Sequence, residues 1–402
     1  MIDFNTASEI IRGSLKPLQQ HREFRDIIET TGSIIAESVI SLLPLPPFDN
    51  SAMDGFAVKY NPNIRSWSIA GEISAGNYTP AAVSDISAVE IMTGARLPEN
   101  ADTVIPVEDV IIREENVILN TGAKYVKGMN VRRKGEDLEK NSLAIKSDTL
   151  LKPQHIALAA SCGRSKLFVY KKLRIGVITT GDELVEIYQE PANDQIRASN
   201  LYALCSAVRE MNHIPINLGI VRDNKAAIQE RISRALDGEI DILITTGGVS
   251  AGKYDLVTEI LPELGVDIKF HKVNIKPGKP VLFGVYKDNE KEVPVFGLPG
   301  NPVSSLVAFY IFIKDNLLKT FGQEGLPVTT AILAKDINKE DSKRHFIRGI
   351  LSRTESGDII VKPAGKQSSG NLAQMSTANC LVVIPEDKIN PKIGEIVECI
   401  MM

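Results

Sequence analysis

The chain has few cysteines, few histidines and no long apolar run, and each shortage removes a class of function. Its four cysteines, Cys162, Cys205, Cys380 and Cys399, lie far apart and form no CxxC pair. Reduced thiols are therefore a better reading than disulfides or a zinc site. The five histidines, at 21, 155, 213, 271 and 345, share no metal-ligand spacing. Lys and Arg number 46 against 50 Asp and Glu, a net charge of −4 with no basic tail, which argues against nucleic acid as a partner. The opening MIDFNTASEII lacks the basic-then-apolar order of a signal peptide. The most apolar segment, Val303 to Ile313, is too short to span a bilayer and is interrupted by Ser304 and Ser305. A soluble, cytoplasmic protein without a membrane partner is expected. Neither a P-loop nor a GxSxG elbow is present. Ser250 and Ser304 have no histidine near them in sequence, so a covalent serine is not expected. No internal repeat or low-complexity segment is seen.

What is present is a set of strand-to-loop switches. Residues 242–255, ILITTGGVSAGKYD, run from a β-branched strand buried on both faces into a glycine-rich turn. Gly247, Gly248 and Gly252 let the backbone approach a ligand closely. The N–H groups of such a turn, with the next helix N-terminus, make a seat for an anion such as phosphate. Asp255 would repel a bare phosphate, so a bound metal or an acid/base task beside the anion is implied. LRIGVITTGDEL (173–184) leads into Thr180, Gly181, Asp182 and Glu183 in the same way. VPVFGLPGNP (293–302) leads into Pro299, Gly300, Asn301 and Pro302. Between them, KPGKP holds Lys276 and Lys279 on a stiff turn. Loops at the carboxyl ends of parallel strands converge on one crevice, so an anionic, phosphorylated ligand is expected.

With 402 residues the chain has room for two to four domains. Residues 1–49 with 136–171 read as a discontinuous helical and extended domain. It opens with a Thr6–Glu9 capping box before the apolar face of Ile10, Ile11 and Leu15. A second helical stretch is expected near Ile27 to Ile40, before the proline-rich PLPPF, and a third over 150–161. Residues 50–135 read as a β-rich insert, with a hairpin over Asp109 to Leu119. Residues 172–322 alternate strands and helices, as in a parallel-sheet α/β domain. Residues 323–402 read as a small β-barrel or sandwich. Other clusters have ordinary readings. Asp49 or Ser51 can cap a helix, Asp54-Gly55 can be a turn, and Thr93 with Gly94 can sit on a plain loop. Arg132, Arg133, Glu136 and Asp137 can line a solvated hairpin.

Together the motifs resemble one family, the molybdopterin molybdenumtransferases, which include MoeA and the gephyrin E-domain. The resemblance is carried in order by PPFDNSAMDGFAV (46–58), MTGARLPENADTVIPVED (92–109) and GMNVRRKGED (128–137). It continues through TTGDEL (179–184), IRASN (196–200), TTGGVSAGKYD (245–255), KPGKP (276–280), GLPGNPVS (297–304) and QSSGNL (367–372). Phe56 stands where tyrosine is more usual. The resemblance implies a molybdopterin-binding α/β domain and a C-terminal barrel. It implies insertion of molybdate into adenylylated molybdopterin with release of AMP, assisted by Mg²⁺. It also implies a homodimer whose active site is shared, with the adenylyltransferase of the preceding step as a candidate partner. On this resemblance Asp54, Asp137, Glu183, Asp223 and Asp255 are the candidate catalytic acids, and Glu183, Asp223 and Asp255 the candidate Mg²⁺ ligands. Thr93, Arg132, Arg133, Thr180, Gly181, Asp182, Ser199, Asn200, Gly247, Gly248, Ser250, Gly252 and residues 299–302 would bind the pterin substrate. Lys276, Lys279, Ser304, Arg348 and Ser369 would bind molybdate through charge-assisted hydrogen bonds. A scaffold of gephyrin type, or the preceding adenylyltransferase, is the alternative. The short run of chain before the first motif speaks against the scaffold, and the β-rich regions against the adenylyltransferase.

Overall fold

The computed structural model describes residues 1–76, 81–249, 255–288 and 291–402. Helix α1 (Phe4–Leu15) is capped by Asp3, which accepts from the Thr6 N–H at 2.9 Å. The expected cap, Thr6, therefore lies inside the first turn; the Asp3 carboxylate caps the helix three residues earlier. Strand β1 (Arg22–Asp26) follows. The helix expected near Ile27 to Ile40 is absent. Only a single 3₁₀ turn, Ile27–Glu29, forms, and the chain then extends, with Ile34 bridging Leu150 and Ile35 bridging Val169. Gly32, at φ +76°, stops helix propagation, and the β-branched residues after it favour extended backbone.

The insert is one six-stranded sheet built from β2 (Gly55–Val58), β3 (Ser66–Ile73), β4 (Ser87–Ile91), β5 (Thr103–Pro106), β6 (Val110–Arg113) and β7 (Asn116–Leu119), in the order β5-β2-β4-β3-β7-β6. The β6–β7 hairpin is the one expected from sequence. Helix α2 (Pro153–Ser161) and β8 (Lys166–Tyr170), paired with β1, close the first region.

The central sheet contains β9 (Arg174–Thr180), β10 (Ile214–Val221), β11 (Ile242–Thr246), β12 (Val266–His271), β14 (Leu282–Asp288) and β15 (Lys291–Leu298), in the order β10-β9-β11-β15-β14-β12. A two-residue strand, β13 (Ile275–Lys276), lies outside it. Pairings from β10 to β15 are parallel, and β14 runs antiparallel to both neighbours. Helix α3 (Ser199–Glu210) and a continuous helical segment pack on one face. That segment comprises α6 (Pro302–Ala308), a π turn (Phe309–Lys314) and α7 (Asp315–Thr320). Helices α4 (Lys225–Asp237) and α5 (Leu256–Glu263) cover the other face. Ile242 and Ile244 bury toward the first layer and Leu243 toward the second, which is why the strand is apolar throughout.

The C-terminal strands β16 (Val328–Leu333), β17 (Arg344–Arg353), β18 (Ile359–Pro363), β19 (Cys380–Ile384) and β20 (Ile396–Met401) close into a five-stranded barrel, because β17 pairs with both β18 and β19. Strand β13 adds in parallel to β17, with Ile275 opposite Arg344 and Lys276 opposite His345. Phe346, Leu381 and Val383 of the barrel join the core of the α/β layer, and Phe4 wedges between Phe346 (5.3 Å) and Phe312 (5.5 Å). Truncating a buried ring such as Phe346 costs about 3–5 kcal/mol, so the barrel is held against the sheet. Among the described residues, no helix is long and apolar enough to cross a membrane.

Candidate active site

The register of the central sheet sets three loops at one level. Thr246 lies opposite Thr179 on one side and Leu298 on the other. The loops leaving these strands surround a cleft of about 440 Å³. Polar bonds tie the loops together: Thr246 donates its hydroxyl to the Pro299 carbonyl at 3.0 Å. Asn200 donates to Thr246 Oγ1 at 3.1 Å and to the Gly300 carbonyl at 2.7 Å. Gly247 turns at φ +92°, and a Cβ there would collide with the Thr180 carbonyl. The buried Thr180 hydroxyl beside that turn has no partner among the described residues, a polar atom left for a ligand to satisfy.

Thr180, Gly181, Glu183, Ser199, Asn200, Asp223, Gly247, Gly248, Asp255, Gly300, Asn301 and Pro302 all line this cleft. Asp182 stands behind it, its carboxylate accepting from the Asp223 N–H at 3.1 Å. Ser250 and Gly252 lie outside the described residues. Asp223 is pushed up from the ordinary carboxylate pKa, first by burial and then by the charges of Asp182 and Glu183. Among the described residues no three His, Cys, Asp or Glu side chains form a metal cage by themselves. Sequence reasoning missed Arg197, which lines the cleft and donates to the Ile187 carbonyl at 3.0 Å. Its place within IRASN was the signal available.

A second cavity, about 900 Å³, opens between the barrel and the first turn of α6. Lys276, Lys279, Ser304, Arg348 and Ser369 all line it, although they are spread over more than ninety positions of sequence. The loop carrying Ser369 is fixed to α6 by the Val303 N–H donating to the Ser369 carbonyl at 3.1 Å. Arg348 is buried. Its guanidinium donates to the Asn371 and Lys366 carbonyls at 3.2 and 2.9 Å and to Gln367 Oε1 at 3.3 Å, and burial lowers its pKa. It therefore shapes the wall as well as charging it. Lys335, Lys343, Lys366 and His345 also line the cavity and were not legible as a group, because only barrel closure brings their segments together.

The remaining candidates lie on the insert side and line neither cavity of this chain. Thr93 donates to Asp54 from its N–H at 2.6 Å and its hydroxyl at 2.7 Å, which lowers the Asp54 pKa. Arg133 pairs with Asp49 at 2.7 Å beside the short antiparallel pairing of Asn50–Ser51 with Val131–Arg132, so Asp49 anchors that pairing rather than capping a helix. Gly55 opens β2 instead of a turn. Arg132, Arg133, Asp54, Thr93 and Asp137 are exposed.

Three family models match in chain order: the MoeA N-terminal region (domain I and II) on residues 2–163, a probable molybdopterin binding domain on 176–319, and the MoeA C-terminal region (domain IV) on 330–402. A Haemophilus influenzae protein named molybdopterin molybdenumtransferase is 35% identical over 387 residues, covering 95% of this chain and 94% of that one. One of the same name from Nostoc is 35% identical over 378 residues, covering 91% and 86%. The crystal structure of a molybdopterin biosynthesis MoeA protein from Pyrococcus horikoshii superposes with a TM-score of 0.80 at 31% identity, covering 100% of this chain and 99% of that one.

Proposed function

The chain belongs to the MoeA family of molybdopterin molybdenumtransferases, and from that premise we propose that it inserts molybdate into adenylylated molybdopterin with release of AMP in the cytoplasm. One observation carries the reading. The acid-bearing cleft and the cationic cavity meet at the first turn of α6, where Pro302 lines one and Val303 and Ser304 line the other.

The glycine turn at Gly247–Gly248 and the Thr180 hydroxyl, without a partner among the described residues, seat the phosphates of the pterin substrate. Lys276, Lys279 and Ser304 hold molybdate, with Arg348 and Ser369 completing the wall. The exchange needs no redox change. The two dithiolene sulfurs bond molybdenum, one oxo group leaves, and the two thiol protons leave with it as water. The cation set steadies the dianion while its oxo is protonated, and α6 keeps the two ligands adjacent, a proximity contribution. The donor set also fits Mg²⁺. Asp182 and Glu183 stand close enough to Asp223 to raise its pKa, and Mg²⁺ takes one or two carboxylates together with substrate phosphates and water. Glu183, Asp223 and Asp255 would hold it, and it would supply charge neutralisation at the phosphoanhydride. The exposed Asp54, Thr93, Arg132, Arg133 and Asp137 would complete the cleft of a second copy in a homodimer.

The test is AMP release from adenylylated molybdopterin with and without molybdate. Release that depends on molybdate is expected. Pterin binding with no release in either arm would favour the scaffold reading, and synthesis of the adenylylated compound from ATP would favour the adenylyltransferase.

A further inference from the structure

A carboxylate outside the candidate oxyanion set faces the lysines of the cationic cavity. Of the described residues lining the cavity, Asp336 is the one acid. That acid is turned outward, paired with Lys392 at 3.0 Å and accepting from the Ile393 N–H at 2.9 Å. Asp341 stands just behind the wall and faces the cations. Its Oδ2 is 3.6 Å from Lys276 Nζ and 3.8 Å from Lys343 Nζ. Its Oδ1 is 2.7 Å from His345 Nε2 and accepts from the Lys343 N–H at 3.1 Å. The β13–β17 pairing, which sets Lys276 directly beside His345, is what brings these groups to one point. Behind them Lys339 is buried and spends its Nζ on the Asp341 and Glu386 carbonyls at 2.7 and 3.0 Å.

We infer that Asp341 is the resident counter-anion of this cavity: it neutralises Lys276 and Lys343 until an oxyanion displaces it, and so keeps oxyanion binding loose enough for transfer. The inference rests on the molybdate reading of the cavity. Burial raises the Asp341 pKa, but the Lys343 N–H, His345 and the nearby positive charges outweigh it and hold the value at about 2. The charge is therefore present at any working pH. Lys276 is 60% exposed, so its pairing with Asp341 is weak and exchangeable. A tetrahedral dianion offers the lysines twice the charge of one carboxylate and several acceptor oxygens, which is enough to win the exchange without locking the dianion in place.

The test is equilibrium dialysis of molybdate against the full chain, with no pterin present. Asp341→Asn keeps one acceptor oxygen for the Lys343 N–H, removes the charge, and turns the oxygen facing the lysines into an NH2 group. It should lower the molybdate Kd about threefold, the scale of one half-exposed ion pair. The gain should shrink in high salt as the charges are screened, and Asp341→Glu should bind as the wild type does. Loss of structure cannot tighten binding, so a gain identifies the counter-anion role. Unchanged or weaker binding in Asp341→Asn, with binding lost in Lys276→Ala/Lys279→Ala, overturns the inference and leaves the cavity reading standing. If none of these variants alters molybdate binding, the cavity reading falls as well.

Discussion

The two cavities share a helix turn and differ in charge and in how they are built. Among the described residues, the cleft at the strand ends is lined by Glu183, Asp223 and Asp255 against one cation, Arg197. The cavity under the barrel is lined, among the described residues, by five lysines and Arg348 against Asp336 alone. The cleft leaves its candidate partners, Asp54 and Asp137, exposed and outside its lining, whereas the cavity gathers every candidate from one chain. The contrast separates two tasks: acids beside a glycine turn suit a metal and phosphates, and a lysine-rich wall suits an oxyanion. It also predicts which half depends on a second subunit.

The largest effect should come from mixing inactive subunits. Asp54→Ala and Asp255→Ala proteins are each expected to be dead in AMP release. In a randomly exchanged mixture about half the dimers are mixed, each with one intact and one doubly damaged site, so about a quarter of wild-type activity should return. Lys276→Ala/Lys279→Ala mixed with Asp255→Ala should gain nothing beyond the residual activity of the lysine variant itself, because cavity and cleft belong to the same chain. Recovery in the second mixture and not in the first would reverse the assignment of halves.

A smaller effect is expected when the cavity alone is weakened. Lys276→Ala/Lys279→Ala should raise the molybdate concentration for half-maximal activity roughly tenfold or more, since each charge-assisted bond is worth about 1.5–3 kcal/mol and 1.4 kcal/mol is tenfold. Affinity for adenylylated molybdopterin should change less. Equal losses for both ligands would place the lysines at the phosphates and erase the contrast between the cavities.

The legible parts of this molecule were those that local sequence determines. Runs such as ILITT and CLVVI bury on every residue, and their β-branched content marks them as strands. The three strand-to-loop switches could be placed in one crevice because parallel strands share a carboxyl end. Strands β12 and β14 were not read. VDIKFH carries Asp267 and Lys269 at the sheet's edge, and LFGVYKD ends in exposed charge, so neither has the uniform apolar run of a central strand. Ile27 to Ile40 misled because its isoleucine pairs fit a helical period, while Gly32 and the pairing with β8 and Leu150 decided the backbone. Four of the cavity's residues, Lys276, Lys279, Ser304 and Ser369, sit in family motifs, and Arg348 was named on the resemblance outside them. Lys335, Lys343, Lys366 and Asp341 were not named, since each looks like ordinary surface charge until the barrel closes.

The smallest predicted effect tests the cleft's acids through stability rather than rate. Asp223 titrates above its ordinary value, first through burial and then through Asp182 and Glu183, so its ionised form is disfavoured in the folded state. The sign follows from linkage: the folded state incurs this cost only when the carboxyl ionises, so the cost is absent below the unfolded value near 3.8 and grows as pH rises through the folded value. Asp223→Asn removes the cost, and its unfolding midpoint at pH 7 in Mg²⁺-free buffer should equal or slightly exceed that of the wild type. Adding Mg²⁺ should reverse the order, because a ligand that binds the folded state stabilises it in proportion to its affinity and the variant has lost a ligand. A variant less stable than wild type without Mg²⁺ would mean that Asp223 anchors its loop. An Mg²⁺-dependent rise of the same size in both proteins would remove it from the metal set, leaving Glu183 and Asp255 to account for the acidic character of the cleft.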